Sequence, residues 1–131
     1  MAVQKISGPE IPGVSYGTAP GDGSGYVVGF SADCALLKID SSNRPGLEGL
    51  KFYHHPKGDV RKAAPEAEKF TRMTMLVSSG NWQQSLWLDG HDPLVLRLTA
   101  PGDFIVWTKG VLHTWEAIEN STMLTLTYFP K

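Results

Sequence analysis

Apolar and polar residues alternate along short segments of the chain, and each segment is bounded by Gly, Pro, Asp or Asn. In LVLRL, for example, Leu94, Leu96 and Leu98 fall on one face of an extended chain, opposite Val95 and Arg97. The segments read, in chain order, YVVGF, CALLKID, GLKFYHH, FTRMTMLVS, WQQSLWLD, LVLRLT, DFIVW, HTWEAIE and TMLTLTYF. Because a period of two is typical of half-buried strands, the pattern predicts eight or nine short strands.

One segment differs from this pattern. Residues 59–70, DVRKAAPEAEKF, have a partly helical pattern that Pro65 interrupts. Strands without alternating helices predict an all-β fold, an antiparallel sandwich or barrel. The 131 residues are enough for one hydrophobic core, so we expect a single barrel domain over residues 26–131.

Residues 1–25 are expected to form an extended N-terminal arm. Gly and Pro interrupt SGPEIPGVSYGTAPGDGSG, residues 7–25, every few positions, which excludes a helix or a long strand. Ile11, Val14 and Tyr16 give the arm apolar surface, so we expect it either to be disordered alone or to lie over a neighbouring subunit. The arm, together with edge strands that need covering, predicts a homodimer.

Charge and composition limit the classes of partner that the protein is expected to bind. Twelve Lys and Arg against thirteen Asp and Glu give a formal net charge of -1, without a basic run, so nucleic acid is not an expected partner. No apolar run reaches the length of about eighteen residues that a membrane span needs, so no membrane association is expected. The single cysteine, Cys34, lies in an apolar segment and predicts a reduced, buried thiol in a cytoplasmic protein.

The stretch GDFIVWTKGVLHTWEAIEN, residues 102–120, resembles the second motif of the cupin superfamily, G-x5-P-x-G-x2-H-x3-N. The two glycines and the histidine of the motif match in register at Gly102, Gly110 and His113. Thr108 replaces the proline and Ala117 replaces the asparagine. The resemblance covers about residues 50–129 and implies a cupin-type double-stranded β-helix, the jelly-roll barrel.

The first cupin motif, G-x5-H-x-H-x3,4-E-x6-G, supplies two more histidines and a glutamate to a metal. With Gly80 as its last glycine, the glutamate falls near Met73 and the histidines near Glu66 and Glu68, so the expected set is missing. Glu66 and Glu68 are open to two interpretations. They could replace the histidines as carboxylate ligands, or APEAEK could be a solvated turn.

The resemblance implies a divalent metal, Fe, Mn, Zn or Ni, although the missing ligands leave a metal-free protein equally open. His113 is the first candidate, as a metal ligand, as an acid–base group inside the barrel, or as a histidine packed between aromatic rings. His54, His55 and Glu68 are the further candidate metal ligands. Successive strand residues point to opposite faces, so at most one of the two histidines faces the interior.

A small-molecule pocket is predicted around His113. Trp115, two residues further along the same strand, shares the face of His113 and could form a floor for an organic ligand. Arg72 lies mid-strand and could direct its guanidinium to a carboxylate or phosphate. Tyr53 and Trp107 are the other aromatic residues expected to contact a ligand.

Two functions stay open. Cupins include many enzymes as well as storage proteins and sugar-sensing domains, so the resemblance implies small-molecule binding without naming a reaction. The first hypothesis is an enzyme acting on a small polar metabolite, with His113 as metal ligand or general base. The alternative is a non-catalytic metabolite-binding or sensing cupin without metal, which the degraded first motif favours.

Overall fold

The structure of the protein, a computed structural model, describes residues 3–19 and 46–129. Residues 20–25 of the predicted arm, the segments YVVGF and CALLKID, and Cys34 lie outside these ranges. The described strands, in chain order, are β1 (Gln4–Ser7), β2 (Val14–Thr18), β3 (Gly46–His55), β4 (Thr71–Leu76), β5 (Trp82–Trp87), β6 (Leu94–Leu98), β7 (Asp103–Trp107), β8 (Leu112–Ala117) and β9 (Ser121–Phe129). Strands β3 to β9 confirm seven of the predicted segments.

The strands form two antiparallel sheets. One has the order β1-β6-β5-β8 and the other β2-β7-β4-β9-β3. Residues 3–19 and 46–129 include no helix, and so none long and apolar enough to cross a membrane. The fold of this part of the chain is the predicted all-β sandwich of antiparallel strands, a jelly roll whose two sheets pack their inner faces together.

The core lies between the inner faces of the sheets. Leu94, Leu96 and Leu98 of β6 are completely buried, as the alternation predicts. Each such side chain contributes about 1.5–3 kcal/mol by leaving water. Strand β7, which lies between β2 and β4, is buried at all five positions. The core includes Trp107 and supports the strand that carries it.

The described part of the predicted arm belongs to the two sheets. Strand β1 pairs with β6, and β2 pairs with β7. Ile11 is 7% exposed, and Val14 and Tyr16 pack partly buried against the core of the same chain. The expectation that these residues lie over a neighbouring subunit is therefore wrong. The homodimer loses one of its two supporting reasons and stays a prediction.

The partly helical interpretation of residues 59–70 is also wrong. Residues 59–61 run extended along the free edge of β8, and the Arg61 amide donates to the Trp115 carbonyl at 3.1 Å. In the turn just before them, the Gly58 amide donates to the Ala117 carbonyl at 2.8 Å. Val60 forms an isolated antiparallel bridge with the same strand. The unpaired edge of β8 offers hydrogen bonds that the Pro-interrupted segment cannot make as a helix.

The backbone conformation at the two motif positions, Gly102 and Gly110, explains why both are glycine. Gly102 and Gly110 both have φ of 94°, in the left-handed region that other residues rarely adopt. They make the turns that enter and leave β7. The Gly110 amide also donates to the Glu68 carbonyl at 2.8 Å, and the Glu68 amide donates to the Val111 carbonyl at 2.9 Å. The β7–β8 turn thus holds the Glu68 segment beside His113.

Candidate functional site

A cavity of about 360 Å³ opens between the sheets at the end where His113 lies. It is lined by the inner faces of β3, β4, β5, β7, β8 and β9 and by residues 59–62. A second recess of about 390 Å³ borders the same Arg61, Arg72 and His113 and is closed by residues 66–70. These three side chains therefore lie at the junction of the two spaces.

His113 is held as a neutral hydrogen-bonding group. Its side chain is buried, and its ring centre lies 4.8 Å from that of Trp107. Arg61 Nη1 donates to His113 Nε2 at 3.3 Å. Because a guanidinium can only donate, Nε2 must accept, and the proton of the neutral ring then sits on Nδ1. Nδ1 is buried and has no hydrogen-bond partner among the described residues.

The surroundings of His113 oppose its protonation. Burial, followed by the positive charges of Arg61 and Arg72, lowers the pKa of His113 from 6.5 to about 3. An imidazole with so low a pKa has little tendency to take up a proton near neutral pH. The geometry therefore supports His113 as a hydrogen-bond donor better than as a general base.

A partly exposed Arg72 and a buried Glu68 form an ion pair. Arg72 Nε lies 3.0 Å from Glu68 Oε1, although the N–H does not point along a hydrogen bond. Glu68 Oε2 accepts from the backbone amides of Lys69 and Phe70, both at 3.2 Å. Arg72 thus enters the cavity as predicted, and Glu68 acts as its counter-ion from the second recess.

The two adjacent histidines point to opposite faces of β3, as strand alternation requires. His55 faces the cavity, where its Nδ1 donates to Asp59 Oδ2 at 2.8 Å. His54 lies on the other face, with Nδ1 2.7 Å from Thr122 Oγ1. Only His55 therefore shares the cavity with His113.

These residues do not fit a divalent metal. In residues 3–19 and 46–129, no three His, Cys, Asp or Glu side chains are grouped so that they could hold a metal ion. His54 faces away, His55 is bonded to Asp59, and Glu68 is paired with Arg72. Two guanidinium groups near His113 would repel a cation. The geometry gives no support to the predicted metal roles.

The aromatic predictions fall into two groups. Trp115 and Tyr53 line the cavity beside His55, with ring centres 4.6 Å and 4.7 Å from it. Trp107 lies deeper, against His113. All four predicted ligand-binding residues, which include Arg72, therefore border the same cavity.

Among the cavity residues that sequence reasoning missed, Arg61 and Gln84 lie closest to the chemistry of the site. Arg61 lies in the segment interpreted as partly helical, so its position beside His113 had no sequence signal. Gln84 is 1% exposed and accepts a hydrogen bond from Trp82 Nε1 at 3.0 Å. The alternation of WQQSLW, which places Gln84 on the face of Trp82 and Leu86, could have found it.

The cavity contains buried donors without acceptors. The indole N–H of Trp82 can only donate, so it orients the Gln84 oxygen toward itself and leaves the amide N–H₂ free. Trp107 Nε1, Arg61 Nε and His113 Nδ1 also have no hydrogen-bond partner among the described residues. Buried donors left alone are costly, so their accumulation at one cavity favours an acceptor-rich ligand.

The charges around the cavity also favour a ligand rich in acceptors. Four cationic side chains line it, and they are Lys51, Arg61, Lys62 and Arg72. Asp59 is the one carboxylate among the lining residues, and it already accepts from His55. A concave site with an excess of positive charge attracts anions.

Comparison with known proteins leaves the function open. No family model and no curated protein matches the chain. The solved structures that are similar to it include two described here. A conserved protein of unknown function from Streptococcus pyogenes is 22% identical over 63% of this chain and 65% of its own, just under two thirds of its length, with a TM-score of 0.48. The Drosophila melanogaster CENP-C cupin domain is 13% identical over 91% of this chain and 72% of its own, with a TM-score of 0.49.

Identities this low carry no information about activity. The described residues form an antiparallel β-sandwich, and its cavity carries the information about function.

Proposed function

We propose that this protein binds a small anion, a carboxylate or phosphate compound, in the cavity between its sheets and without a metal. The observation that carries the proposal is the group of four unpartnered buried donors at a cavity lined by Arg61 and Arg72. An anionic oxygen can accept from several such donors at once, and charge-assisted hydrogen bonds are stronger than neutral ones.

The residues take distinct roles in this proposal. Arg61 and Arg72 supply the positive charge, and Trp107, Gln84 and His113 donate N–H groups to the anion. His113 stays neutral, since its pKa is lowered to about 3. A neutral imidazole that already accepts from Arg61 favours binding or sensing over proton-transfer catalysis. The homodimer and the cytoplasmic location stay predictions.

Replacing either arginine tests the proposal. We expect Arg61→Gln and Arg72→Gln to weaken anion binding by about tenfold to a hundredfold, because hydrogen bonds to charged groups contribute about 1.5–3 kcal/mol. Isothermal titration calorimetry with acetate, inorganic phosphate, benzoate and galacturonate measures the affinities. Arg97→Gln is the matched control, since Arg97 donates to Gln83 away from the cavity and should leave every affinity unchanged.

Two results would contradict the proposal. The first concerns anions. Either none of the four binds the wild-type chain, or Arg97→Gln weakens binding as much as the cavity variants do. The second concerns metal: stoichiometric binding of Zn²⁺ or Mn²⁺ to the wild-type chain, lost in His113→Gln, would show that the site is built for a cation.

A further inference from the structure

An aromatic wall extends from the cavity mouth toward the anion site. We define it as Tyr53, His55 and Trp115. Tyr53 is 56% exposed at the mouth, its ring centre lies 4.7 Å from that of His55, and the His55 ring lies 4.6 Å from Trp115. Trp115 in turn follows His113 by two positions on the inner face of β8. The wall therefore connects solvent to the cationic end of the cavity.

The wall is held rigid from behind. Trp82 is buried and stacks on Trp115 with ring centres 4.7 Å apart and planes 22° apart. Gln84 fixes the Trp82 indole, and Asp59 fixes the His55 ring. A ligand that lies against these rings does not have to order them, so little of the contact energy is spent on immobilising side chains.

Several acceptors that line the cavity already hold hydrogen bonds. Gln84 Oε1 already accepts from Trp82, and Asp59 Oδ2 from His55. The hydroxyls of Thr74 and Thr125 are bonded to each other at 3.0 Å. The buried side-chain atoms of the cavity that have no hydrogen-bond partner among the described residues are all donors. A polyhydroxylated ligand would have to share these acceptors among its O–H groups, whereas an aromatic acid has no such groups to satisfy.

We infer that the ligand is a carboxylic acid with a planar aromatic ring. This inference rests on the proposed function and names the class of anion. The carboxylate lies at Arg61 and Arg72, and the ring lies against the aromatic wall, as aromatic rings prefer stacked or edge-on contacts with one another. A space of about 360 Å³ is within the range of small-ligand pockets and accommodates a single-ring acid.

Three acids of equal charge test the inference. Benzoate, cyclohexanecarboxylate and galacturonate each carry one carboxylate on a six-membered ring and differ in planarity and in hydroxyl groups. In calorimetric titrations of the full chain, we expect benzoate to bind about tenfold more tightly than the other two. Trp115→Leu should weaken benzoate binding by about fivefold while changing the affinity for phosphate less than about twofold.

Two further variants keep the test decisive. Trp87→Leu changes a tryptophan of β5 that does not line the cavity, and it should leave benzoate binding unchanged. Tyr53→Ala removes an exposed ring, so it should fold even if Trp115→Leu does not, and it should weaken benzoate binding by about threefold.

The outcomes separate the two proposals. If galacturonate or cyclohexanecarboxylate binds as tightly as benzoate, or neither wall variant weakens benzoate binding, the aromatic-acid inference is wrong. The anion-binding function survives that result as long as Arg61→Gln and Arg72→Gln still weaken binding. If neither Arg61→Gln nor Arg72→Gln changes the affinity for any anion, both proposals are wrong.

Discussion

At the scale of single residues, the contact between Arg61 and His113 decides what the histidine can do. The guanidinium donates to Nε2, its charge disfavours the imidazolium, and burial acts in the same direction. The histidine that resembles a cupin metal ligand is therefore a neutral donor between two cations. Its low pKa also has a consequence for stability, which can be measured without knowing the ligand.

We expect His113 to destabilise the folded protein in mild acid. Its pKa falls from 6.5 to about 3 on folding, so between these values the unfolded chain holds a proton that the folded chain lacks. The free energy of unfolding therefore rises with pH across this window, by up to about 1.4 kcal/mol per unit from His113, and this contribution is constant above pH 6.5. Urea unfolding at a series of pH values measures the slope.

His113→Gln should reduce that slope, whatever it does to stability at neutral pH. The carboxylates that titrate in the same range are common to both proteins and cancel in the difference. His91→Gln is the control, because His91 is exposed in the β5–β6 turn and its replacement should leave the slope unchanged. Equal slopes for wild type and His113→Gln would show that His113 protonates normally in the folded protein.

At the scale of elements, the turn between β7 and β8 positions the site. Gly110 adopts φ of 94° there and donates to the Glu68 carbonyl, which keeps the counter-ion of Arg72 in place. A β-carbon at Gly110 would meet no atom within 4 Å, so a substitution there tests backbone conformation alone.

Gly110→Ala should lower the free energy of unfolding by about 1–2 kcal/mol, the strain of a left-handed alanine. Gly17→Ala is the matched control, because its backbone is not left-handed and its β-carbon would meet the Phe104 ring at an ordinary 3.4 Å. Chemical denaturation of the two variants should separate them clearly. A loss for Gly17→Ala as large as that for Gly110→Ala would contradict the conformational explanation.

At the scale of the whole molecule, strands β1 and β2 complete the two sheets. They cover the edges of β6 and β7, and Ile11 between them is buried in the shared core. The N-terminal segment therefore stabilises its own chain, which distinguishes it from an arm that holds two subunits together.

Ile11→Ala should lower the free energy of unfolding by about 2–5 kcal/mol, the usual cost of truncating a buried isoleucine. Ile6→Ala, at a position that is 44% exposed, should cost much less. Light scattering should give the same mass for both variants and the wild type. If Ile11→Ala instead dissociated an oligomer, and its stability depended on protein concentration, the residue would belong to a subunit interface.

The sequence by itself determined the local features of this fold. Alternation and turn residues predicted β3 to β9, the shared face of His113 and Trp115, and the opposite faces of His54 and His55. These features depend on the period of an extended chain, which neighbouring residues encode. The same local signal failed for residues 4–18, where the Gly- and Pro-rich sequence did not predict the two short strands. It also failed for residues 59–70, which have a partly helical pattern but begin with residues that pair with the edge of β8.

Only the tertiary structure decided the chemistry of the cavity. Arg61 and His113 are 52 positions apart in the chain, and their contact follows from the pairing of residues 58–61 with β8. Arg72 reaches the same place from the opposite sheet. Which charges meet in a jelly roll depends on strand pairing between distant segments, which a local pattern does not encode. For that reason a motif that suggests a metal ligand lies, in the folded chain, at a site suited to an anion.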